Sequence, residues 1–384
     1  MSQSDQNEDN SAASSMQDYC ERGRLKAENL GNRGPIRFDK NGHLDESILE
    51  AYHRTGFYVF TGVLSTQEVK ELLTEFDQIL DNAPVSIKSK KDQHGRSVKF
   101  PGYYSLSPRS KAQTKEINHN PGEVTQPDVV GLVSHPLMMM DSALCVYGHP
   151  QILKMVAGVN GPDFVPFHEA VFHKGAGEGP PTPWHQDGRT HWNAQGKSLE
   201  TFDRSSKSHG FNLSISCTPC TPANCLWVVP GSQRHWRLAN EGKFPSIKER
   251  LPDAVPMMLE PGDCGMVNRS SLHGSYPNHS GTRRVTLLLG FHRRDSAIGA
   301  ETTNVHAFKS PNPQMKKTVK YTEDYVLRRT RMIPLAIDAR RQKYPDEVPY
   351  DYTGSYLGDG VWNDKTRAEI SEESHEYWQQ DITL

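Results

Sequence analysis

The stretch "PTPWHQDGRTHW", Pro181–Trp192, crowds two imidazoles, a carboxylate and two indoles into one short segment. On an extended strand, side chains at i and i+2 share a face, so His185 and Asp187 can reach one point while Gln186 faces away. One imidazole and one carboxylate at a strand end make two-thirds of the 2-His-1-carboxylate facial triad that binds non-haem Fe(II). A lone HxD is more often a surface pair or a satisfied core histidine. The third ligand must come from another strand.

A second segment, "PGDCGMVNRSSLHGSYPNHSGTRRVTLLLGFHRRD", supplies a candidate. Pro261-Gly262-Asp263 makes a turn, an extended run follows, and His273 stands before Gly274 and Ser275, about ninety residues beyond the HxD. Arg284 lies 11 positions later and opens the apolar strand "VTLLLGF". A guanidinium beside a metal is suited to holding a carboxylate bidentately. Two imidazoles and a carboxylate leave three octahedral positions open. A 2-oxo acid can chelate through two and O2 can take the last, with Arg284 on the distal carboxylate.

Other assignments compete. His191 extends the first motif to HxDxxxH, a possible zinc pattern, although Gly188 interrupts the strand. His235, His279 and His292 are rival third ligands, but none precedes Gly-Ser as His273 does. The CTPC of Cys217–Cys220 has no second CxxC to complete a zinc site, and the six cysteines read as free thiols. Trp184 and Trp192 read as pocket wall or core. Lys174, Arg189, Lys197, Arg204 and Lys207 could meet an anionic substrate, though a solvated loop explains them as well.

The elements that must position these groups follow from patterning. Residues 1–34 are polar and poor in branched apolar groups, which predicts a disordered tail. "LDESILEAYHRTGFYVFTGVLS" predicts an amphipathic helix stopped by Gly56 and a short strand. Ser65 and Glu68 have capping-box spacing ahead of a helical stripe from Val69 to Leu80. From about 164 to 295 short β-type runs alternate with Gly and Pro, which predicts a mainly β fold with flanking helices around a jelly-roll core. The polar segment Gly188–Gly210 reads as a lid or substrate-recognition loop. A charged and aromatic extension follows over 310–384, and its basic clusters are interleaved with acids, as in a solvated surface or one paired within the chain rather than a nucleic-acid patch. Residues 35–384 read as a single domain.

A formal net charge of -2 over 384 residues gives no field to draw the chain to nucleic acid or an anionic membrane. There is no long apolar run and no secretory leader pattern, so the expectation is a cytoplasmic protein with a small-molecule partner.

"WHQD", the strand ending "VVPGS", "PGD", "LHGSYPN" and the following arginine resemble, in this order, the phytanoyl-CoA dioxygenase superfamily of Fe(II)/2-oxoglutarate oxygenases. The resemblance spans Leu44 to Arg294. It implies a double-stranded β-helix (jelly-roll, cupin-like) core. It implies His185, Asp187 and His273 as iron ligands and Arg284 with Ser275 as the site for the 5-carboxylate of 2-oxoglutarate. His168 falls where some relatives place a polar residue near that cosubstrate. Arg283 is the alternative to Arg284, but the gapless register also places Phe291 on the family's aromatic. Two departures, "PANCL" for Asn-Gly and Gln233 for the usual histidine, concern turns beside the site. Related halogenases lack the acidic ligand, so Asp187 implies hydroxylation or another oxidative outcome, with 2-oxoglutarate and O2 yielding succinate and CO2. A non-catalytic cupin-like binding protein and a zinc hydrolase are the alternatives, and both leave Arg284 without a task.

Overall fold

The computed structural model describes residues 3–112, 127–187, 210–237, 242–303 and 318–373. Its strands are β1 (Arg33–Gly34), β2 (Phe57–Phe60), β3 (Tyr104–Pro108), β4 (Asp128–Ser134), β5 (Phe164–Lys174), β6 (Thr182–His185) and β7 (Gly210–Ser216). They continue with β8 (Leu226–Val228), β9 (Val255–Met257), β10 (Cys264–Asn268), β11 (His273–Ser275), β12 (Arg284–Arg293), β13 (Glu301–Thr303) and β14 (Thr318–Lys320). The longer helices are α1 (Gln3–Glu28), α2 (Glu46–Thr55), α3 (Thr66–Asp81), α4 (Asp141–Tyr147), α5 (Pro150–Asn160), α6 (Glu323–Thr330), α7 (Met332–Lys343) and α8 (Asp364–Glu373).

An eight-stranded sheet of order β1-β2-β10-β7-β12-β5-β4-β3 faces a four-stranded sheet of order β6-β11-β8-β9. Apart from the parallel edge pair β1·β2, the pairings are antiparallel. This is the mainly β, helix-flanked jelly roll expected, with two sheets that do not close into a barrel.

Local chemistry sets the entry to the sheet. Asp45 accepts from the Ser47 N–H to cap α2, and Gly56 ends that helix at φ 80°, a conformation that favours glycine. The chain passes at once into β2, which is buried throughout. The capping box of Ser65 and Glu68 is present at the start of α3. Along β12, Val285, Leu287, Leu289 and Phe291 enter the main core beneath α2–α5, where Phe291 stacks on Tyr147. Strand parity turns Arg284 and Thr286 to the opposite face, toward the smaller sheet.

Three expectations need correction. The stretch read as a disordered tail, 1–34, holds α1 and β1. Tyr19 of α1 stacks on Trp227 of β8 at 4.5 Å and 11°, and its hydroxyl donates to the Leu251 carbonyl at 2.9 Å. A Cβ on Gly23 would stand 2.6 Å from the Trp227 ring, so glycine lets the helix lie against the indole. A few groups on one helical face suffice, because the outer surface of the smaller sheet supplies the rest of the contact.

The sheet also extends beyond 164–295, since β1–β4 complete its two flanks. The carboxy-terminal extension in turn contributes to the core: Met332, Ile333, Leu335 and Ala336 of α7 are buried in the main apolar cluster. Among its described basic residues, Arg329 pairs with Glu169, Arg340 with Glu68 and Glu347, Arg331 with Glu369, and Lys343 with Glu71. Among the described residues, no helix is long and apolar enough to cross a membrane.

Candidate active site

The β6·β11 register places His273 directly opposite His185, with ring centroids 4.2 Å apart. His185 Nδ1 lies 2.7 Å from the Pro183 carbonyl and His273 Nδ1 lies 2.8 Å from the Ser271 carbonyl. A carbonyl only accepts, so each Nδ1 carries the proton and each Nε2 keeps its lone pair. Both lone pairs converge on Asp187, at 3.7 Å from His185 Nε2 to Oδ1 and 3.7 Å from His273 Nε2 to Oδ2. The three ligand atoms lie within 4.8 Å of one another, the one such cluster among the described residues. Burial, reinforced by the neighbouring His185, pushes His273 down to about 4, so its imidazole is neutral at ordinary pH. Two imidazoles and a carboxylate on one face are a donor set suited to non-haem Fe(II), and the hydrogen bonds at Nδ1 orient both rings.

Gln186 is turned away from this point and buried. Its amide nitrogen is 2.7 Å from the Ser270 carbonyl, 2.8 Å from that of His235 and 3.2 Å from that of Ser232, and its oxygen accepts from the Arg237 N–H at 2.9 Å. The middle residue of the HxD therefore ties the strand end to the turn before β11. It fixes both ligand-bearing segments at once.

Two residues beside the carboxylate were not singled out from the sequence. Asn212 Nδ2 donates to Asp187 Oδ2 at 3.3 Å, and Arg269 Nη1 donates to Asn212 Oδ1 at 3.0 Å. Burial draws Arg269 down to about 10, which leaves it charged at neutral pH. The available signal was the alternation of Asn212, Ser214 and Ser216 in β7, a polar face on a strand whose other face is core.

At the opposite end, Ser275 shares the face of His273 two residues along β11. Lys174 Nζ donates to Ser275 Oγ at 2.9 Å and to the Tyr276 carbonyl at 2.7 Å. Arg284 is buried and donates to the Asn224 carbonyl at 2.7 Å. Arg283 instead points outward and pairs with Asp77 of α3. Lys174, which the sequence left among possible loop cations, is the last residue of β5 and is 5% exposed.

The remaining candidates separate. His168 lies on β5, but its side chain is outside the described residues. So are Arg189, His191, Trp192, Lys197, Arg204 and Lys207, with most of the segment Gly188–Gly210. His235, His279 and His292 are not part of the metal-ligand cluster. Trp184 is buried in the second apolar cluster. The described cysteines are free thiols. The two departures beside the site are both accommodated: Asn224 closes the "PANCL" turn by accepting from the Thr221 N–H at 2.8 Å, and Gln233 donates to the His53 carbonyl at 2.9 Å.

No curated protein matches the sequence. The fold is similar to that of solved structures. One is the non-haem monooxygenase ThoJ in its apo form, with a TM-score of 0.51 and 17% identity over 86% of this chain and 95% of that one. Another is EctD from S. alaskensis with 2-oxoglutarate and 5-hydroxyectoine, with a TM-score of 0.46 and 15% identity over 68% of this chain and 80% of that one. A third is AviO1 from Streptomyces viridochromogenes Tue57, with a TM-score of 0.44 and 19% identity over 67% of this chain and 96% of that one. The family model described as Phytanoyl-CoA dioxygenase (PhyH) matches residues 52–286, a span that takes in His185, Asp187, His273, Ser275 and Arg284. With well over half of its length inside that match, the chain belongs to the phytanoyl-CoA dioxygenase family.

Proposed function

We propose that this oxidoreductase is an Fe(II)/2-oxoglutarate-dependent dioxygenase that oxidises a C–H bond of a small molecule. The observation that carries this reading is the convergence of His185, Asp187 and His273, with buried Arg284 and Ser275 beyond them. His185, Asp187 and His273 would hold the metal. Arg284 and Ser275 would bind the 5-carboxylate of 2-oxoglutarate, which orients the 2-oxo acid end toward the three ligands. Bound iron would supply the activation of O2 that couples decarboxylation of 2-oxoglutarate, to succinate and CO2, with oxidation of the substrate. Asp187 fills the acidic ligand position, which favours hydroxylation or a related oxidation over halogenation. Asn212 and Gln186 would keep the ligands oriented while substrate enters.

Residues 35–384 are taken as one catalytic unit, because α7 shares its apolar cluster with the sheet. Anaerobic protein loaded with Fe(II) should develop a metal-to-ligand charge-transfer band on addition of 2-oxoglutarate. It should then release succinate when O2 and a substrate are supplied. Absence of the band at saturating 2-oxoglutarate would remove the reading.

A further inference from the structure

Lys174 and Arg284 are cross-strand partners in the β5·β12 ladder, and both side chains cross the gap between the sheets. Lys174 reaches Ser275 of β11, while Arg284 reaches the Asn224 carbonyl just before β8. Each is about 5% exposed. Among the described residues neither has a carboxylate partner. Lys174 meets two neutral oxygens, and Arg284 has its Nε wholly without a hydrogen-bond partner. Two adjacent cationic groups buried without an acid are costly, and the cost is relieved by loss of the lysine's proton or by an anion placed between them. Burial, and next the charge of Arg284, push Lys174 well below its ordinary range.

The position of the pair tells which anion it fits. Ser275 lies two residues beyond His273 on the same face of β11, or roughly 7 Å along a strand rising about 3.4 Å per residue. Ser275 Oγ accepts from Lys174, so its own proton remains available to a third oxygen. Gly179, at φ 116°, leaves room for the lysine stem, since an added Cβ would stand 2.7 Å from Lys174 Cγ.

We propose that Lys174 is a second cationic residue of the cosubstrate pocket, acting with Arg284 and Ser275 to select a 2-oxo acid that carries a distal carboxylate. The proposal rests on the 2-oxoglutarate reading above and adds to it a residue that sets acid specificity. Arg284 presents a planar fork and Lys174 a point charge from the opposite strand, so one carboxylate is gripped from two directions. An acid without the distal group, such as 2-oxobutyrate, would leave both cations unpaired.

The test compares wild type with Lys174→Met and Lys174→Arg in full-length protein. Binding of 2-oxoglutarate and of 2-oxobutyrate is read by calorimetry on the anaerobic Fe(II) form, and binding of succinate on the metal-free form. Lys174→Met should weaken 2-oxoglutarate and succinate about tenfold or more, leave 2-oxobutyrate within about twofold, and raise KM for 2-oxoglutarate with little change in kcat. Lys174→Arg should recover part of the loss. Without ligand, Lys174→Met should melt at the wild-type temperature or above it, since a buried charge has been removed.

Equal binding of 2-oxoglutarate by wild type and Lys174→Met would overturn the proposal while leaving the dioxygenase reading intact. So would an equal loss for both 2-oxo acids, or a Lys174→Met chain that does not fold. A wild-type protein that binds no dicarboxylate at all would overturn both.

Discussion

His273 stands directly across from His185 in the β6·β11 ladder, and that one pairing joins two segments remote in sequence into a single donor set. Register matters here because a slip of one residue would turn one imidazole to the other face. Asp187 then lies 3.7 Å from each Nε2. Asp187→Ala should therefore fold normally but lose stoichiometric iron and all succinate formation. Iron content after anaerobic reconstitution, measured beside circular dichroism, checks this. A fully loaded Asp187→Ala protein would move the carboxylate ligand elsewhere.

Gln186 offers a prediction about stability at the same motif. Its side chain satisfies the Arg237 N–H and lies within hydrogen-bond range of three backbone carbonyls. Gln186→Leu keeps the volume but removes these hydrogen bonds, at about 1–3 kcal/mol for each buried group that neither water nor another partner satisfies. Urea unfolding should show a loss of at least about 2 kcal/mol, together with weaker iron retention because both ligand segments lose their tie. An unchanged midpoint would mean that water replaces the amide.

The cluster of His185, Asp187 and His273 was legible because its pattern is local: HxD needs only the two-residue period of a strand, and His273 is marked by the Gly-Ser that follows it. Arg284 could be favoured over Arg283 from register, and their opposite orientations follow from the strand's alternation. Lys174 was not legible, since a lysine near a glycine looks the same at a loop and at a buried strand end. Only its cross-strand position opposite Arg284 distinguishes the two. Asn212 and Arg269 were hidden for a similar reason, because their partners are distant in sequence. The amino-terminal helix was missed because average polarity masks a narrow stripe, and Met16 and Tyr19 gain their burial from Trp227, about two hundred residues away. The extension hid in the same way: α7 reads as charged, yet one side of it joins the main core.

Docking of that extension gives a third prediction. Arg329 of α6 forms an ion pair with Glu169 of β5, and both side chains are 1% exposed. Removing one partner strands a buried charge, so Arg329→Met alone should cost about 3–5 kcal/mol. The double variant Glu169→Leu with Arg329→Met removes both charges and should recover most of that loss. Denaturant unfolding of the four proteins in a double-mutant cycle measures the coupling. Additive losses would show that the pair does not act as a unit.

His149 supplies a pH dependence remote from the metal. It caps α5, its Nδ1 accepting from the Gln151 N–H at 3.2 Å, a role only the neutral ring can fill. Burial, aided by the charge of Arg340, lowers its pKa from 6.5 to about 4. The unfolded chain therefore takes up a proton first as pH falls. Stability from this residue is complete above about 6.5 and is lost progressively between about 6.5 and 4, on the order of 3 kcal/mol in all. His149→Asn keeps a capping oxygen without a titrating group. Its unfolding free energy should fall less steeply over that window than wild type, by up to one proton in the slope. His273 titrates in both proteins when metal is absent, so the difference between the two curves isolates His149. Parallel curves from pH 7 to 5 would mean that His149 does not enter the folded state as a neutral cap.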